Sequence, residues 1–530
     1  MSFDPSATAN LNCNQEEIDM ARSGLSRAQD QIHILLKFPL EQQLGAETVA
    51  ALESTERNVR REAFRRIEAH EPDFRPHAED VVRRICARVS AKAPTMAVAS
   101  EESGLHFLSI DDFDPNVGPP EGVPVYNPYT GVLSVYPEQN LEPDEAVAGI
   151  REAVKSDDAV EGVERVVIYR AISAFDTTLQ TEPESDGYGY DYSEMAGLDA
   201  RRHQAALQTA LAGESVPWGI DQIGARAAWR RGYAGQGVVV AVVDTGISPH
   251  VDLALPVRGA TFVPGSISYT DDHGHGTHVA GTIAARRSNG LGVVGVAPQA
   301  RLMAVKVLAR DGYSRGDSVA LGITWAANNG AQVINLSLGS GQASDSLRRA
   351  VIYARSRQVI VCAAAGNDYG GAVSYPAAFD DACIAVAATD QSNRRANFSN
   401  RGSQLDLSAP GVGIESTYLA NTYRELNGTS MATPHVAGVA AILLSRYPGL
   451  SPLMAQRHLE ATAMPLGAPD LYGRGLVHAE RAVATQPQPV VSPAVAVVVA
   501  PAAESDHEVA TPAAAAGRSA ASKRGHNSSR

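Results

Sequence analysis

The sequence predicts an α/β fold with a mostly parallel central sheet flanked by helices. Three observations carry that prediction. Continuous apolar runs of strand length recur (VVVAVVD, LMAVKVL, QVINLSL and VIVCAAAG), the pattern of strands buried on both faces. Helix-periodic stretches such as THVAGTIAA and SVALGITWAANN lie between them, supplying the crossovers that parallel pairing requires. Both patterns are confined to residues 213–485, and the sequence on either side has a different character.

Taken in order, residues 1–30 are polar, with neither the basic cluster nor the apolar stretch of a secretory leader. This predicts cytoplasmic residence, with export by a route that needs no leader as the alternative. Residues 31–175 read as a helical and α+β auxiliary region. The short apolar run IHILLKF leads into Arg- and Glu-rich helical sequence, and from Gly131 to Phe175 a strand-like VLSVY, a helix-like DEAVAGIREAV and a strand-like VERVVIYRAI suggest a small α+β module. Residues 176–212 form an acidic linker: Asp176 to Asp199 holds seven carboxylates and no Lys or Arg, which favours a solvated chain. Residues 486–530 turn to Pro, Ala, Ser and Val without periodicity and are expected to be a disordered tail. Its apolar stretch, Val490 to Ala503, is broken by Pro493 and Pro501 and is shorter than the ~20 residues of a membrane helix.

A net charge of -14 offers no basic excess to neutralise phosphates, so neither nucleic acid nor an anionic membrane is expected as a partner. Cys13, Cys86, Cys362 and Cys383 show no paired spacing and read as ordinary thiols.

In an open parallel sheet, ligands gather beyond the carboxyl ends of the strands. Asp244 closes the run VVVAVV at such an end, where its carboxylate can orient a histidine or simply cap its own Thr245-Gly246 turn. In DDHGHGTHVAGTIAA, His275 stands between glycines at a helix start, and a neutral imidazole there can take a hydroxyl proton. A metal cluster of His273, His275 and His278 is the competing reading, although HExxH is absent; His278 otherwise packs in the helix. In NGTSMATPHVAGVAAILL, Ser430 begins a long apolar helix, with Pro434 where proline is tolerated. There it is either a cap or a nucleophile whose oxyanion would meet free backbone N–H groups. The strand end VIVCAAAGN frees the Asn367 amide to donate to the same oxyanion. Ser337, Leu338 and Gly339 on one side and Ala364, Ala365 and Gly366 on the other offer small-residue walls between which a substrate side chain could enter.

The blocks VAVVDTGI, HGTHVAGT, VINLSLG, AAAGN and GTSMATPHVAG together resemble the signature blocks of the subtilisin-like serine peptidases, and they stand in that family's order, Asp then His then Ser. WGIDQI, GVVGVAPQARLMAVKVL and LYGRGLVHA extend the likeness over about residues 213–485. The resemblance implies a subtilisin-like domain and a serine endopeptidase of broad specificity working through an acyl-enzyme. Asp244 orients, His275 is base and acid, Ser430 is the nucleophile and Asn367 is the oxyanion donor. It implies polypeptide substrates held as an added strand between Gly312 to Gly316 on one side, with Gly312, Tyr313 and Ser314 foremost, and Ser337 to Gly339 on the other, and no cofactor for catalysis. It also implies a structural calcium held by Asp252, Asn289 and Glu214, with the carbonyls of Arg287, Leu291 and Val293. The region before residue 213 would be a cleavable propeptide, cut between Asp176 and Glu214. The alternatives are a dedicated processing protease and an inactive peptide-binding scaffold.

Overall fold

The computed structural model describes residues 31–37, 47–48, 51, 57–70, 79–92, 96–97, 108–119, 125–137, 143–172, 213–314, 317–380 and 382–488. The polar segment 1–30, the linker 176–212 and the tail beyond 488 lie outside the described residues, as does Cys13.

The amino-terminal part runs β1 (Ile32–Leu36), α1 (Arg57–His70), α2 (Glu79–Lys92), β2 (Met96–Ala97), β3 (Leu108–Ser109), β4 (Val125–Asn127), β5 (Val132–Pro137), α3 (Pro143–Val154), β6 (Val160–Arg165) and β7 (Arg170–Ala171). Its sheet has the order β3-β4-β5-β1-β6, with β2 on β5. The run IHILL is the strand between β5 and β6, antiparallel to both, so the apolar run and the later α+β module are one unit. Period-two alternation sends Ile32, Ile34, Leu36, Leu133 and Val135 to one face. There they pack on Val82, Ile85 and Val89 of α2 and on Val147, Ile150 and Val154 of α3, stripes of helical spacing.

The larger part continues with α4 (Trp218–Gln222), α5 (Ala225–Arg230), β8 (Val239–Asp244), β9 (Arg258–Thr261), α6 (His275–Ala284), β10 (Arg301–Lys306), α7 (Ser318–Asn328), β11 (Val333–Leu336) and β12 (Leu338–Gly339). Then come α8 (Asp345–Ser356), β13 (Ile360–Ala364), β14 (Ile384–Thr389), β15 (Leu407–Pro410), β16 (Ile414–Tyr418), β17 (Thr422–Leu426), α9 (Thr429–Arg446), α10 (Pro452–Thr462), α11 (Pro469–Tyr472) and α12 (Ala479–Ala484). Seven strands form one sheet in the order β15-β14-β13-β11-β8-β10-β9, and every pairing in it is parallel. Alternation along β8 divides its side chains between two layers. Val240 and Val242 join Val279, Ile283, Val436 and Val439 of α6 and α9, whereas Val239, Ala241 and Val243 join Leu321, Ile323, Leu347 and Val351 of α7 and α8. Helices on both faces explain why every residue of β8 is buried and why the sequence there does not alternate.

The second face of the amino-terminal sheet rests on α7 and α8. Ser134 Oγ donates to Asp317 Oδ2 at 2.5 Å, and Asn127 Nδ2 donates to Thr324 Oγ1 at 3.1 Å. Glu164 accepts from the Ser344 hydroxyl and from the backbone N–H groups of Asp345 and Ser346, which satisfies the amino terminus of α8 with a negative charge. Arg349 reaches back to the carbonyls of Leu36 and Thr130. Cys86, Cys362 and Cys383 are buried free thiols; burial pushes Cys86 up to about 12, and it raises the other two as well.

Candidate active site

Asp244 is the last residue of β8 and His275 the first of α6. Their side chains are fully buried and joined through Asp244 Oδ1 and His275 Nδ1 at 2.7 Å. The same carboxylate oxygen accepts the Thr245 N–H at 2.7 Å, so capping the turn and orienting the histidine are one arrangement. Burial pushes the His275 pKa down, but the adjoining Asp244 charge and its hydrogen bond raise it further, and the net position is above an ordinary histidine. Two residues that sequence reasoning passed over hold this corner. Asp271 accepts the N–H groups of His273, Gly274 and Thr277 and the Thr277 hydroxyl, clamping the start of α6. Lys306 is buried, and its ammonium donates to the carbonyls of Thr245 and Leu308 and to Asp272, tying the loop after β8 to the approach to α6.

Ser430 lies in the first turn of α9, while the helix cap itself is Gly428. Its hydroxyl donates to the Ser337 carbonyl at 2.8 Å, and the Ser337 hydroxyl donates back to the Ser430 carbonyl at 2.9 Å. Capping is therefore not the role of Ser430. His275 Nε2 is buried and makes no hydrogen bond. Ala364, Ala365 and Gly366 are buried at the end of β13 and deliver Asn367 to the start of α9: Gly366 N–H donates to Thr429 Oγ1, and Asn367 Oδ1 accepts the Thr429 N–H and hydroxyl. These bonds fix the Asn367 amide oxygen on Thr429. The amide nitrogen donates to the carbonyl of Ile172 at 3.2 Å.

Ile172 belongs to a segment of the amino-terminal part that occupies the cleft as a strand. On one side, Ala171 N–H donates to the Gly312 carbonyl at 2.9 Å, Arg170 bridges Tyr313, and Ser314 N–H donates to the Tyr169 carbonyl at 2.8 Å. On the other, β7 is antiparallel to β12, with Leu338 opposite Ala171 and Gly339 opposite Arg170, and Ile172 N–H donates to the Ser337 carbonyl at 3.2 Å. Both edges expected for a bound polypeptide are thus filled by the chain itself; of the 312–316 edge, Arg315 and Gly316 lie outside the described residues. A Cβ at Gly339 would stand 2.6 Å from Ile172 Cδ1, so the absence of a side chain there makes room for the isoleucine. The sequence read VERVVIYRAI as one strand, whereas β6 ends at Arg165 and β7 begins at Arg170. The usable signal was the length of that apolar run beside an acidic linker.

His273, His275 and His278 do not converge on a metal. His278 Nε2 contacts the carbonyls of Ile414 and Arg424, and burial lowers its pKa to about 3. Among the described residues there is no metal-binding group of three or more His, Cys, Asp or Glu. The residues expected around calcium do meet. Ser215 N–H donates to the Gly292 carbonyl at 2.7 Å, which brings Glu214 to the loop, where its carboxylate accepts the Asn289 N–H at 3.1 Å. The fully buried Asp252 accepts Asn289 Nδ2 at 2.6 Å, Val293 N–H at 2.9 Å and the Tyr423 hydroxyl at 3.3 Å. Arg287, Leu291 and Val293 flank Asn289 in a loop curled by left-handed Ser288, Gly290 and Gly292. Burial raises the Asp252 pKa, Glu214 adds to the rise, and among the described residues no Lys or Arg forms an ion pair with Asp252. Asn289 turns its amide nitrogen to Asp252 while its oxygen accepts the Leu291 N–H at 3.0 Å, so the Asp252 carboxylate is satisfied here by N–H and O–H donors, and a hard cation would take the Asn289 oxygen only with that amide turned over.

Residues 235–480 match the family model of the subtilase family. The chain is 49% identical over 340 residues to an alkaline protease of Alkalihalobacillus alcalophilus, covering 64% of this chain and 88% of the relative. It is 55% identical over 269 residues to subtilisin Savinase of Lederbergia lenta, covering 51% of this chain and 99% of the relative. A thermostable alkaline protease of Halalkalibacterium halodurans is 51% identical over 269 residues, 51% of this chain and 74% of the relative. These relatives, alkaline proteases and subtilisins, overturn the expectation of cytoplasmic residence, for which the composition of residues 1–30 was no sufficient ground. Among the described residues, no helix is long and apolar enough to cross a membrane.

Proposed function

The chain belongs to the subtilase family and is a serine-type endopeptidase, and from that premise we propose that Asp244, His275 and Ser430 are its catalytic triad, with Asn367 as oxyanion donor. The observation that carries the reading is the buried 2.7 Å pairing of Asp244 with His275, with the imidazole's second nitrogen left unbonded. In the reaction, the Ser430 hydroxyl leaves the Ser337 carbonyl, gives its proton to His275 Nε2, and its oxygen bonds to the substrate carbonyl carbon. The carbonyl electrons move to oxygen, where the Asn367 amide and the Ser430 N–H at the start of α9 meet the developing charge. Collapse breaks the C–N bond, His275 returns the proton to the leaving amine, and water repeats the sequence on the acyl-enzyme. Asp244 holds the imidazole in the tautomer that exposes Nε2 and stabilises its cation.

Substrates are polypeptides, bound as an added strand between Gly312–Ser314 and Ser337–Gly339. Main-chain pairing of this kind gives affinity with little choice of side chain, which favours broad specificity over the dedicated processing of one polypeptide. The amino-terminal part acts as an internal inhibitor, and the first bond cut is the one after Ile172, upstream of the expected 176–214 interval. What supports this is the Ile172 carbonyl on Asn367 and the Ile172 N–H on Ser337, the posture of an acyl group awaiting attack. When bound, calcium would be held by Asp252, Asn289 and Glu214 with the carbonyls of Arg287, Leu291 and Val293. It would lock the start of the catalytic part to the loop after α6 and take no part in the chemistry.

The test of the triad is Ser430→Ala in the full chain. The variant is expected to lose casein hydrolysis and labelling by a serine-directed phosphonate together. Labelling that persists in the variant would refute Ser430 as nucleophile.

A further inference from the structure

The amino-terminal part touches the catalytic part at a place that neither the cleft nor the sheet interface explains. Helix α1 packs on α8 and α10, and neither of those helices supplies a residue to the triad, to the oxyanion position or to the edges that pair with β7. Arg61 Nη2 meets Glu460 Oε1 at 2.8 Å with side chains only 10% and 7% exposed. Arg60 Nη2 meets Asp380 Oδ2 at 2.5 Å, at the loop between β13 and β14. Ala63, one helical half-turn on, is 1% exposed and packs within the core layer that contains Leu347 and Val351 of α8. The opposite face of α1 is solvated, with Arg65 and Arg66 paired within the helix to Glu62. This helix is therefore held by two sheltered arginine–carboxylate pairs around a small apolar contact.

Such pairs are specific. Arg61 and Glu460 are largely removed from water, so the loss of one partner there strands a buried charge, a far larger penalty than breaking an exposed pair, while the part-buried Arg60–Asp380 pair adds to the contact. The cleft strand Tyr169–Ile172 is short, and once its carboxyl end is released from the chain it must be retained by something else.

Building on the reading of the amino-terminal part as an internal inhibitor, we infer that α1 is a second anchor, docked through Arg60 and Arg61 on Asp380 and Glu460, which keeps the severed segment bound and sets how long inhibition outlasts the cut after Ile172. The partner of the α8–α10 face is thus the chain's own arginine-bearing helix.

The experiment uses the full active chain and follows two quantities after purification: the share of the fragment ending at Ile172 that co-elutes with the catalytic part, and the lag before a peptide substrate is hydrolysed at its final rate. Arg61→Gln and Arg61→Glu are each expected to shorten the lag by about tenfold or more, with the final rate unchanged. Glu460→Arg should do the same, and combining it with Arg61→Glu should restore most of the lag. An unchanged lag in all single variants, or no recovery in the double variant, overturns the anchor. A wild-type chain that shows neither cut nor lag instead removes the reading of self-inhibition. In that event, amide hydrogen exchange of α1 in the uncut Ser430→Ala chain tests the docking directly. Faster exchange in Arg61→Glu supports it, and equal exchange overturns it.

Discussion

The side-chain amide of Asn367 donates to the carbonyl oxygen of Ile172 at 3.2 Å, so the group expected to steady an oxyanion already holds a carbonyl of the chain itself. The donor's direction is not adjustable, because the amide oxygen is engaged twice by Thr429. An oxyanion donor prepared in this way needs no reorganisation when charge develops.

Replacing Asn367 by Ala is expected to reduce kcat by ~10²–10³ with a small change in KM, the signature of an interaction strengthened in the transition state. Steady-state kinetics on a peptide substrate, with enzyme fully freed of the amino-terminal part, makes the comparison. A rise in KM at constant kcat would assign Asn367 to ground-state binding instead.

Mass spectrometry of the purified active chain is expected to show a new carboxyl terminus at Ile172. In Ile172→Pro that terminus should vanish, because proline has no N–H to give the Ser337 carbonyl and resists the extended pairing. A first cut elsewhere in the wild-type chain, with Ile172 still internal, would place the self-cleaved bond outside the seated segment.

Activity should fall as pH drops through a His275 pKa above the ordinary ~6.5, since the imidazolium cannot accept the Ser430 proton. Because Asp244 is the chief cause of the rise, ahead of Asp271, Asp244→Asn should move the acid limb to lower pH while cutting the rate severely. The same linkage has a stability side. The raised pKa means that the pairing stabilises the fold fully below the unfolded value near ~6.5, and that this stabilisation is lost as pH rises through the folded value. An acid limb in Asp244→Asn at unchanged pH would dissociate the shift from that carboxylate.

Calcium is expected to raise the melting temperature of the intact chain in a concentration-dependent way, and chelator to lower it, because a ligand bound only by the folded state stabilises by mass action. Asp252→Asn removes one charge from the donor set and should abolish most of the dependence. Thermal melts of wild type and variant, each with calcium and with chelator, decide the matter; a wild-type melt indifferent to both ends the assignment.

Much of the site was legible because its chemistry is local. Asp244 at the end of an apolar run, His275 and Ser430 at helix starts and Asn367 after VIVCAAAG follow from burial, strand-end position and helix polarity within a dozen residues of each. The two edges Gly312–Ser314 and Ser337–Gly339, and the meeting of Asp252, Asn289 and Glu214, came with the family resemblance and need distant segments to converge. Other features had no local signature at all. Lys306 reads as one cation inside a strand, Asp271 as one of two adjacent aspartates, and Arg60 and Arg61 as members of a charged helix.

What the sequence by itself determined is the sheet, its helices and the placement of the candidate groups at strand ends and helix starts, since continuous apolar runs and helix starts are specified by neighbours along the chain. Only the tertiary structure decided that IHILL joins VLSVY and VERVVIY in one sheet, that α1 settles on Asp380 and Glu460, and that Tyr169–Ile172 fills the cleft. Each of these is a pairing between segments about a hundred residues or more apart. A strand edge or a carboxylate accepts any complementary partner that reaches it, so which one arrives is set by how the whole chain packs.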